Sequence, residues 1–201
     1  GESSIEAGNI LEEIYTNHTT NKPRICRMTP TEAEITKIAL NCFLTTKIAY
    51  ANMVGDIVKS SGGDPNVVLN AVGQDTRIGN KYLGYGFGYG GPCFPRDNRA
   101  LAIYAKDIGI EALISLASDE SNSKHLDYQI REYVENNDQN TEVVFDYVTY
   151  KPESTLLVES QQLAYAAGIA KEGFRVKIRE RAEVIEQLKE KYGNFFEYEE
   201  R

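Results

Sequence analysis

The stretch of residues 84–97, GYGFGYGGPCFPRD, combines a single cysteine with an unusual density of glycine and proline. Five of the eight residues 84–91 are glycine, and Cys93 follows between Pro92 and Pro95. Glycine weakens helices and strands but lets a backbone approach a ligand closely, while proline stiffens the chain beside it. The pattern predicts a loop that presents the Cys93 thiol to a ligand. The alternative is an exposed Gly/Tyr linker with an incidental cysteine.

Lys37 and Asn41 are polar residues, four apart, in a helical pattern that is otherwise nearly all apolar, so their side chains share one face. Beside Cys93, an ammonium and an amide would stabilise negative charge on a carbonyl oxygen attacked by sulfur, and the ammonium would favour the thiolate. Asp97, four residues after Cys93, could orient a water or the lysine. The alternatives are a lysine that reaches solvent, a hydrogen-bonded core amide and an ordinary helix N-cap.

Two runs of the sequence carry a resemblance to a known family, EAEITKIALNCFLTTKIAYAN at 32–52 and DTRIGNKYLGYGFGYGGPCFPRDNRAL at 75–101. Together they resemble the central domain of the UDP-glucose/UDP-N-acetyl-mannosamine 6-dehydrogenase family. The resemblance covers residues 30–122 well. Beyond residue 142 it thins to YKPESTLLVESQQL, which is similar to the K-P-x-T-D-D-x-R-E-S segment of that family's nucleotide-binding C-terminal domain.

The resemblance implies that a UDP-hexose 6-hydroxyl is oxidised to a carboxylate, with NAD as the cofactor. The aldehyde stage would be held on Cys93 as a thiohemiacetal, oxidised to a thioester and hydrolysed. By matching position, Lys37, Asn41 and Asp97 are implied to be catalytic together with Cys93. The residues implied to contact the sugar nucleotide are Arg77, Tyr82, Phe87, Tyr89 and Gly90, and the one implied to contact the cofactor is Lys151.

The sequence departs from the family's pattern at several positions. Met53 stands where the family usually has glutamate, and Leu156 and Val158 replace an aspartate and an arginine of the C-terminal segment. No GxGxxG follows a predicted strand in the 201 residues, so we expect no nicotinamide binding in the usual way and no activity from this chain alone. The chain would then be an excised portion or a split gene product of such an enzyme.

The alternative is a non-catalytic relative that keeps a dimeric scaffold and binds a UDP-sugar. The joint presence of Lys37, Asn41, Cys93 and Asp97 favours the enzyme portion, because a drifting scaffold has no physical reason to keep that set. A cysteine hydrolase or peroxidase ranks third, because no histidine is placed as a base: both histidines lie in polar stretches.

The composition bounds the remaining function classes. With 201 residues and 41% hydrophobic content the chain can form a proper core, and a net charge of −8 argues against nucleic-acid or anionic-membrane partners. Three cysteines without CxxC and two separated histidines predict neither a disulfide framework nor a metal site. No apolar run reaches the ~18–20 residues of a membrane span, and the N-terminus lacks signal-peptide features, which predicts a cytoplasmic protein.

A long helix is predicted to position Lys37 and Asn41. Thr29 and Glu32 form a capping box around Pro30, and the first strong stop is at residues 61–65, which predicts a helix over Pro30–Ser60. Apolar residues surround this helix almost completely, and one chain has little to cover it with. We therefore predict a homodimer through helix 30–60, which is also the dimerisation spine of the resembled family.

The other elements are predicted from periodicity and from start and stop signals. Helices are expected at 5–15, 65–71, 97–108, 119–137, 157–171 and 182–192, and strands at 141–150, 174–178 and 194–198. The fold class is a mainly α central domain with one long buried helix, followed by a small, incomplete, parallel Rossmann-like α/β domain. The expected domains are an N-terminal helix and connector at 1–28, a helical dimerisation domain with the cysteine loop at 29–138, and a partial nucleotide-sugar-binding domain at 139–201.

Overall fold

A computed structural model describes all 201 residues as seven helices and three strands. In chain order these are α1 Ile5–His18, α2 Pro30–Ser60, α3 Pro65–Gly73, α4 Phe94–Asp107, α5 Leu113–Asn136, β1 Glu142–Phe145, α6 Gln161–Lys171, β2 Arg175–Glu180, α7 Ala182–Tyr192 and β3 Glu197–Glu200. Helices α3, α4 and α5 pack on α2, and the strands form a sheet with α6 and α7. The predicted fold class, a helical unit followed by a small Rossmann-like part, is confirmed.

The long helix α2 has the predicted boundaries. Its capping box is formed, because the Thr29 hydroxyl accepts from the Glu32 N–H and the Glu32 carboxylate accepts from the Thr29 N–H at 2.7 Å. The face turned to the other helices buries small and polar residues, namely Cys42, Thr45, Ala49, Ala51, Asn52 and Gly55. Large apolar residues of the other face are exposed, namely Leu40, Phe43, Tyr50, Met53 and Ile57. One chain therefore covers only one face of this helix.

Helix α4 begins earlier than the predicted start at Asp97. Its first residue is Phe94, and Cys93 occupies the N-cap position. Pro95 fits here because the N–H that proline lacks has no intrahelical partner in the first turn. Asp97 is therefore a first-turn residue rather than the cap, and Cys93 sits at the junction of loop and helix.

Other boundaries also differ from the predicted ones: α1 ends at His18 rather than at residue 15, and β3 is Glu197–Glu200 rather than 194–198. Helix α5 begins at Leu113 rather than at residue 119, and α6 begins at Gln161 rather than 157, after Ser160 caps it by accepting from the Leu163 N–H at 3.2 Å. The strand predicted at 141–150 is only Glu142–Phe145. Beyond it, backbone groups bond to side chains instead of to a neighbouring strand.

The sheet is parallel, in the order β1-β2-β3. Val143 pairs with Val176, and Ile178 pairs with Phe145 on one side and Tyr198 on the other. Strands that follow one another in the sequence are thus adjacent in the sheet, and a helix joins each to the next. This arrangement is one half of a doubly wound fold. The core of this unit consists of Val143, Val148, Leu163, Ala166, Ile169, Phe174, Val176, Ile178, Val184, Leu188 and Phe196.

A fully buried carboxylate shapes the connection between β1 and α6. Glu180 ends β2, and its side chain accepts from the Val148 N–H, the Thr149 hydroxyl and the Arg181 N–H, each at 3.2 Å. A buried carboxylate is stable only when hydrogen bonds replace its water. These bonds hold residues 146–160 at the carboxyl edge of the sheet.

That connection meets residues 84–91, which we call the glycine segment. The Gly91 N–H donates to the Glu159 carbonyl at 3.2 Å. A Cβ on Gly90 would lie 2.1 Å from the same oxygen, and one on Gly91 would lie 2.5 Å from the ring of Tyr150. Gly91 also has φ +78°, which L side chains rarely adopt. The helical and α/β units therefore touch at glycines because no side chain fits between them.

We expect Gly90→Ala to lower the free energy of unfolding by about 1–3 kcal/mol, the usual cost of overpacking, because the Glu159 carbonyl must move. Gly84→Ala is the matched control, since nothing lies within 4 Å of a Cβ there, and its effect should stay within about 0.5 kcal/mol. Urea denaturation of the variants measures both. Equal losses would show that the close approach at Gly90 is not a constraint.

Candidate active site

Cys93 is exposed and fixed by the start of α4. Its carbonyl oxygen accepts the first intrahelical hydrogen bond, from the Asp97 N–H at 2.8 Å. Residues four apart in a helix lie on one face, so the Asp97 side chain follows the thiol by one turn. The helix thus ties the position of the sulfur to that of the carboxylate.

Asp97 collects three donors in a site where its side chain is only 5% exposed. Its Oδ2 accepts from Lys37 Nζ at 2.5 Å and from Asn41 Nδ2 at 2.7 Å, and its Oδ1 accepts from Arg96 Nε at 3.1 Å and from a terminal guanidinium nitrogen at 2.9 Å. Burial opposes ionisation, but the hydrogen bonds from Lys37, Asn41 and Arg96 outweigh it and hold the pKa of Asp97 below its usual value. The carboxylate joins α2 to α4.

The Lys37 ammonium lies on Asp97 and makes no hydrogen bond with Cys93. The ammonium that was predicted to lie beside the sulfur therefore lies on the Asp97 carboxylate. The Lys37 side chain is 59% exposed, and Asp97 is its only hydrogen-bond partner. Its remaining N–H donors are free to bind a ligand.

Arg96 is the residue of this cluster that the sequence analysis did not single out. Hydrogen bonding and attraction from Asp97 raise the pKa of Arg96, and the neighbouring Cys93 thiol adds to that increase. The spacing of Arg96 could have identified it, because a residue three positions after the N-cap Cys93 lies on the same side of the first helical turn as Cys93. Arg96 is therefore a cation beside the cysteine.

Two asparagines hold the backbone of the glycine segment. Asn52 Oδ1 accepts from the Gly86 N–H at 3.0 Å, and its Nδ2 donates to the Phe87 carbonyl at 3.4 Å. Asn122 accepts from the Tyr89 N–H and donates to the Tyr89 carbonyl, each at 2.9 Å. Both amides replace the partner strand that this segment lacks. Sequence reasoning missed both, although a polar residue on an apolar helix face was the signal that identified Asn41.

Three of the predicted sugar-nucleotide contacts lie in the glycine segment. Tyr89 is 3% exposed and its hydroxyl donates to Asp119 at 2.8 Å, so its ring supports the segment from below. Phe87 is partly exposed and contacts the ring of Tyr165 edge-on, with the ring centres 5.7 Å apart. Gly90 lies against the loop before α6. Of these three residues, only Phe87 and the backbone of Gly90 offer surface to a ligand.

The remaining predicted contacts, Arg77, Tyr82 and Lys151, lie outside the glycine segment. Arg77 is highly exposed and pairs with Asp75 at 2.6 Å, and no hydrogen bond joins it to residues 93–97. Tyr82 is half exposed, with φ +61°. Lys151 lies 5.1 Å from the centre of the Tyr150 ring. Because that ring packs on Gly91, Lys151 stands near the contact between the two units.

The residues present do not fit a dinucleotide. The only helical crossovers of the sheet follow β1 and β2, and residues 146–160 after β1 contain no glycine. A pyrophosphate needs a glycine turn there to approach the backbone. In addition, no group of three His, Cys, Asp or Glu side chains is placed to share a metal ion, and no helix is both long and apolar enough to cross a membrane.

Comparison with known proteins agrees with the resemblance seen in the sequence. The profile of the UDP-glucose/GDP-mannose dehydrogenase family, central domain, matches residues 31–124. The UDP-glucose 6-dehydrogenase of Pseudomonas aeruginosa is 31% identical over 180 residues, 88% of this chain and 40% of that protein. The UDP-glucose 6-dehydrogenase TuaD of Bacillus subtilis is 38% identical over 124 residues, 62% of this chain and 26% of that protein.

A solved structure has the same fold along the whole chain. The UDP-glucose dehydrogenase from the hyperthermophilic archaeon Pyrobaculum islandicum superposes with a TM-score of 0.86 at 32% identity, over 100% of this chain and 46% of that one. The present chain thus spans less than half the length of each of these relatives.

We expect Asp97→Asn to lower the free energy of unfolding by about 2 kcal/mol near pH 7, because Lys37 and Arg96 lose their anionic acceptor. A carboxylate with a depressed pKa stabilises the fold above its unfolded-state pKa, and the effect disappears as the pH falls through the folded-state value. The difference between the wild type and the variant should therefore shrink below about pH 4.

Urea denaturation at a series of pH values measures this difference. Asp107→Asn, at the exposed end of the same helix, is the control and should change little. A difference that stays constant from neutral to acid pH would contradict the assigned role of the carboxylate.

Proposed function

The chain belongs to the UDP-glucose/GDP-mannose dehydrogenase family, and on that premise we propose that it is the substrate- and cysteine-bearing portion of a nucleotide-sugar 6-dehydrogenase. One observation carries the proposal. An exposed thiol stands one helical turn from a buried carboxylate, and that carboxylate holds an ammonium and an amide whose remaining donors are free. This geometry suits the addition of sulfur to a carbonyl group and the stabilisation of the resulting oxyanion.

Cys93 acts as the nucleophile on the aldehyde stage of the substrate. Its Sγ gives its proton to solvent and forms a bond to the carbonyl carbon, the π electrons move to the oxygen, and that oxygen takes hydrogen bonds from Lys37 and Asn41. A hydride acceptor held by another polypeptide segment would oxidise this thiohemiacetal to a thioester. Water then attacks the thioester, the carbon–sulfur bond breaks, the carboxylate leaves, and the sulfur regains its proton. Asp97 holds both donors in place and is positioned to orient the water.

The UDP-sugar contacts the exposed side of the glycine segment and the turn before it. The rings of Tyr82 and Phe87 offer stacking surface, the backbone at Gly90 offers polar groups, and Arg77 supplies a cation. Tyr89 acts indirectly: the hydrogen bond from its hydroxyl to Asp119 holds the glycine segment in place. Residues 29–138 form the catalytic and dimerisation domain, and residues 139–201 contribute to nucleotide-sugar binding.

The cofactor of the proposed reaction would be NAD, which would supply the hydride acceptor for the oxidation of the sugar. Because residues 1–201 do not fit a dinucleotide, another polypeptide segment has to hold it. Lys151, whose Nζ lies 5.1 Å from the centre of the Tyr150 ring, is the proposed contact of this chain with that cofactor. By itself the 201-residue chain is proposed to be inactive.

The exposed face of α2 is the proposed contact with a second copy of the chain. Its exposed apolar residues include Leu40, Phe43, Tyr50 and Ile57 along one long helix. A row of large apolar side chains on an otherwise charged surface marks an interface. An isologous dimer would bring the same face of both copies together.

The first experiment incubates the 201-residue chain with UDP-glucose and NAD. We expect no NADH, followed by turnover once the dinucleotide-binding part of a family member is fused or added. In that active form Cys93→Ser should abolish acid formation, because a hydroxyl cannot form the thioester. Cys26→Ser is the control, since Cys26 is an exposed thiol outside the cluster. NADH formation by the 201 residues alone would refute the proposal, and failure of every reconstituted form would favour a non-catalytic scaffold.

The second experiment measures the molecular mass by sedimentation at micromolar concentration. We expect a dimer whose interface buries on the order of 2,000 Å² or more. Phe43→Lys should yield a monomer by placing a charge in the apolar contact, whereas Val158→Lys, an exposed apolar site in the α/β unit, should leave the dimer intact. A monomeric wild type would rule out the α2 interface.

A further inference from the structure

His125 in α5 is a buried titratable residue that the proposed reaction does not use. Its side chain is 2% exposed, and its Nε2 lies 2.6 Å from the Gly86 carbonyl oxygen. Its Nδ1 lies 2.9 and 2.8 Å from the carboxylate oxygens of Asp56 on α2. The Tyr85 hydroxyl donates to one of the same oxygens at 2.9 Å. The histidine thus connects both long helices to the glycine segment.

The hydrogen bonds define where the protons are. A carbonyl oxygen only accepts, so His125 Nε2 carries a hydrogen. Nδ1 faces the two Asp56 oxygens at 2.9 and 2.8 Å, where a bare nitrogen would oppose the lone pairs of a carboxylate, so one hydrogen lies between the ring and the carboxyl group. Burial, together with the hydrogen bond to Asp56, raises the pKa of Tyr85, which keeps its hydroxyl a donor. Because imidazole is a stronger base than a carboxylate, we assign the hydrogen between the ring and Asp56 to Nδ1, which makes the contact a charge-assisted pair.

The surrounding groups leave this pair as the main support of the Gly86 carbonyl. Gln129 also donates to that oxygen, but at 3.3 Å, and its own Oε1 is buried without a partner. The other titratable groups near Tyr85 and Asp56 are Tyr128 and Glu132 of α5, and Glu132 is bound to Lys59 at 2.9 Å.

We propose that His125 is a positioning residue: as an imidazolium ion paired with Asp56, it fixes the Gly86 carbonyl and, through it, the glycine segment on which the UDP-sugar lies. The part that concerns the UDP-sugar rests on the proposed function. The charge matters because one neutral imidazole cannot donate to both Gly86 and Asp56. Two amides could replace the pair, since each has both a donor and an acceptor.

The protonation state is tested on the unaltered chain by ring-nitrogen NMR. The sequence has only two histidines, and His18 at the exposed end of α1 provides the reference signals. An ordinary histidine is neutral at about pH 8. We expect both ring nitrogens of His125 to carry protons there, because one faces the Gly86 carbonyl oxygen and the other faces Asp56. A bare nitrogen on His125 would overturn the proposal.

The positioning role is tested with His125→Gln, the double variant Asp56→Asn/His125→Gln, and His18→Gln as the matched control. The single variant should raise amide exchange in residues 84–91 and weaken UDP-glucose binding by about tenfold, since a charged buried acceptor loses its donor. The double variant should restore both, because paired amides need no charge. The control should match the wild type.

Unchanged exchange in His125→Gln, or no rescue in the double variant, would overturn the positioning role. These readouts separate the proposal from the proposed function. Absence of UDP-glucose binding by the wild type would count against the UDP-sugar site alone, while NMR and exchange still decide the role of His125.

Discussion

The rest of the structure depends on how the backbone of the glycine segment is satisfied. No backbone hydrogen bond forms within residues 84–91, and the only one that reaches it from another loop is that from Gly91 to Glu159. A loop of this kind would leave polar groups unpaired wherever it is covered. Side chains of α2 and α5 supply the missing partners, through Asn52, Asn122 and His125. The side chains of these two helices therefore supply the backbone hydrogen bonds that a neighbouring strand would supply in a sheet.

The position of Cys93 depends on this support of the glycine segment by α2 and α5. The glycine segment ends at Gly91, Pro92 stiffens the next step, and the first turn of α4 then fixes Cys93 relative to Asp97. Asp97 in turn is held by Lys37 and Asn41 of the same α2 that holds the segment. The glycine segment and the first turn of α4 are thus both held by α2. This common support gives the exposed Cys93 thiol a defined position although the thiol itself is not buried.

Local signals in the sequence predicted the parts of the fold that depend on near neighbours. The capping box at Thr29, the stop after Ser60 and the alternating strand around Val176 are each determined within a few residues. The start of α4 was misplaced because Asp97 resembles an N-cap, whereas its carboxylate is taken up by α2.

The partners of the candidate site were less predictable, because they are distant in sequence. His125 was assigned to a polar stretch, yet it is buried against Asp56, 69 residues away. Lys37 was placed beside the sulfur, and only the three-dimensional arrangement of α2 and α4 directs its ammonium to Asp97. Periodicity identifies which helix face carries a polar residue, but the residue that faces it depends on packing.

The ion pair of Asp56 and His125 also limits how this chain can diverge. A descendant that changes only one member would bury an unpaired charge or leave the Gly86 carbonyl without its strongest donor, and either state costs more than a typical surface change. Viable lineages must therefore exchange the two positions nearly together. The same site restricts drift in a third position, because Tyr85 has to remain a donor for as long as Asp56 is an anion. Substitutions at these three positions, which lie on two helices and one loop, are thus coupled to one another.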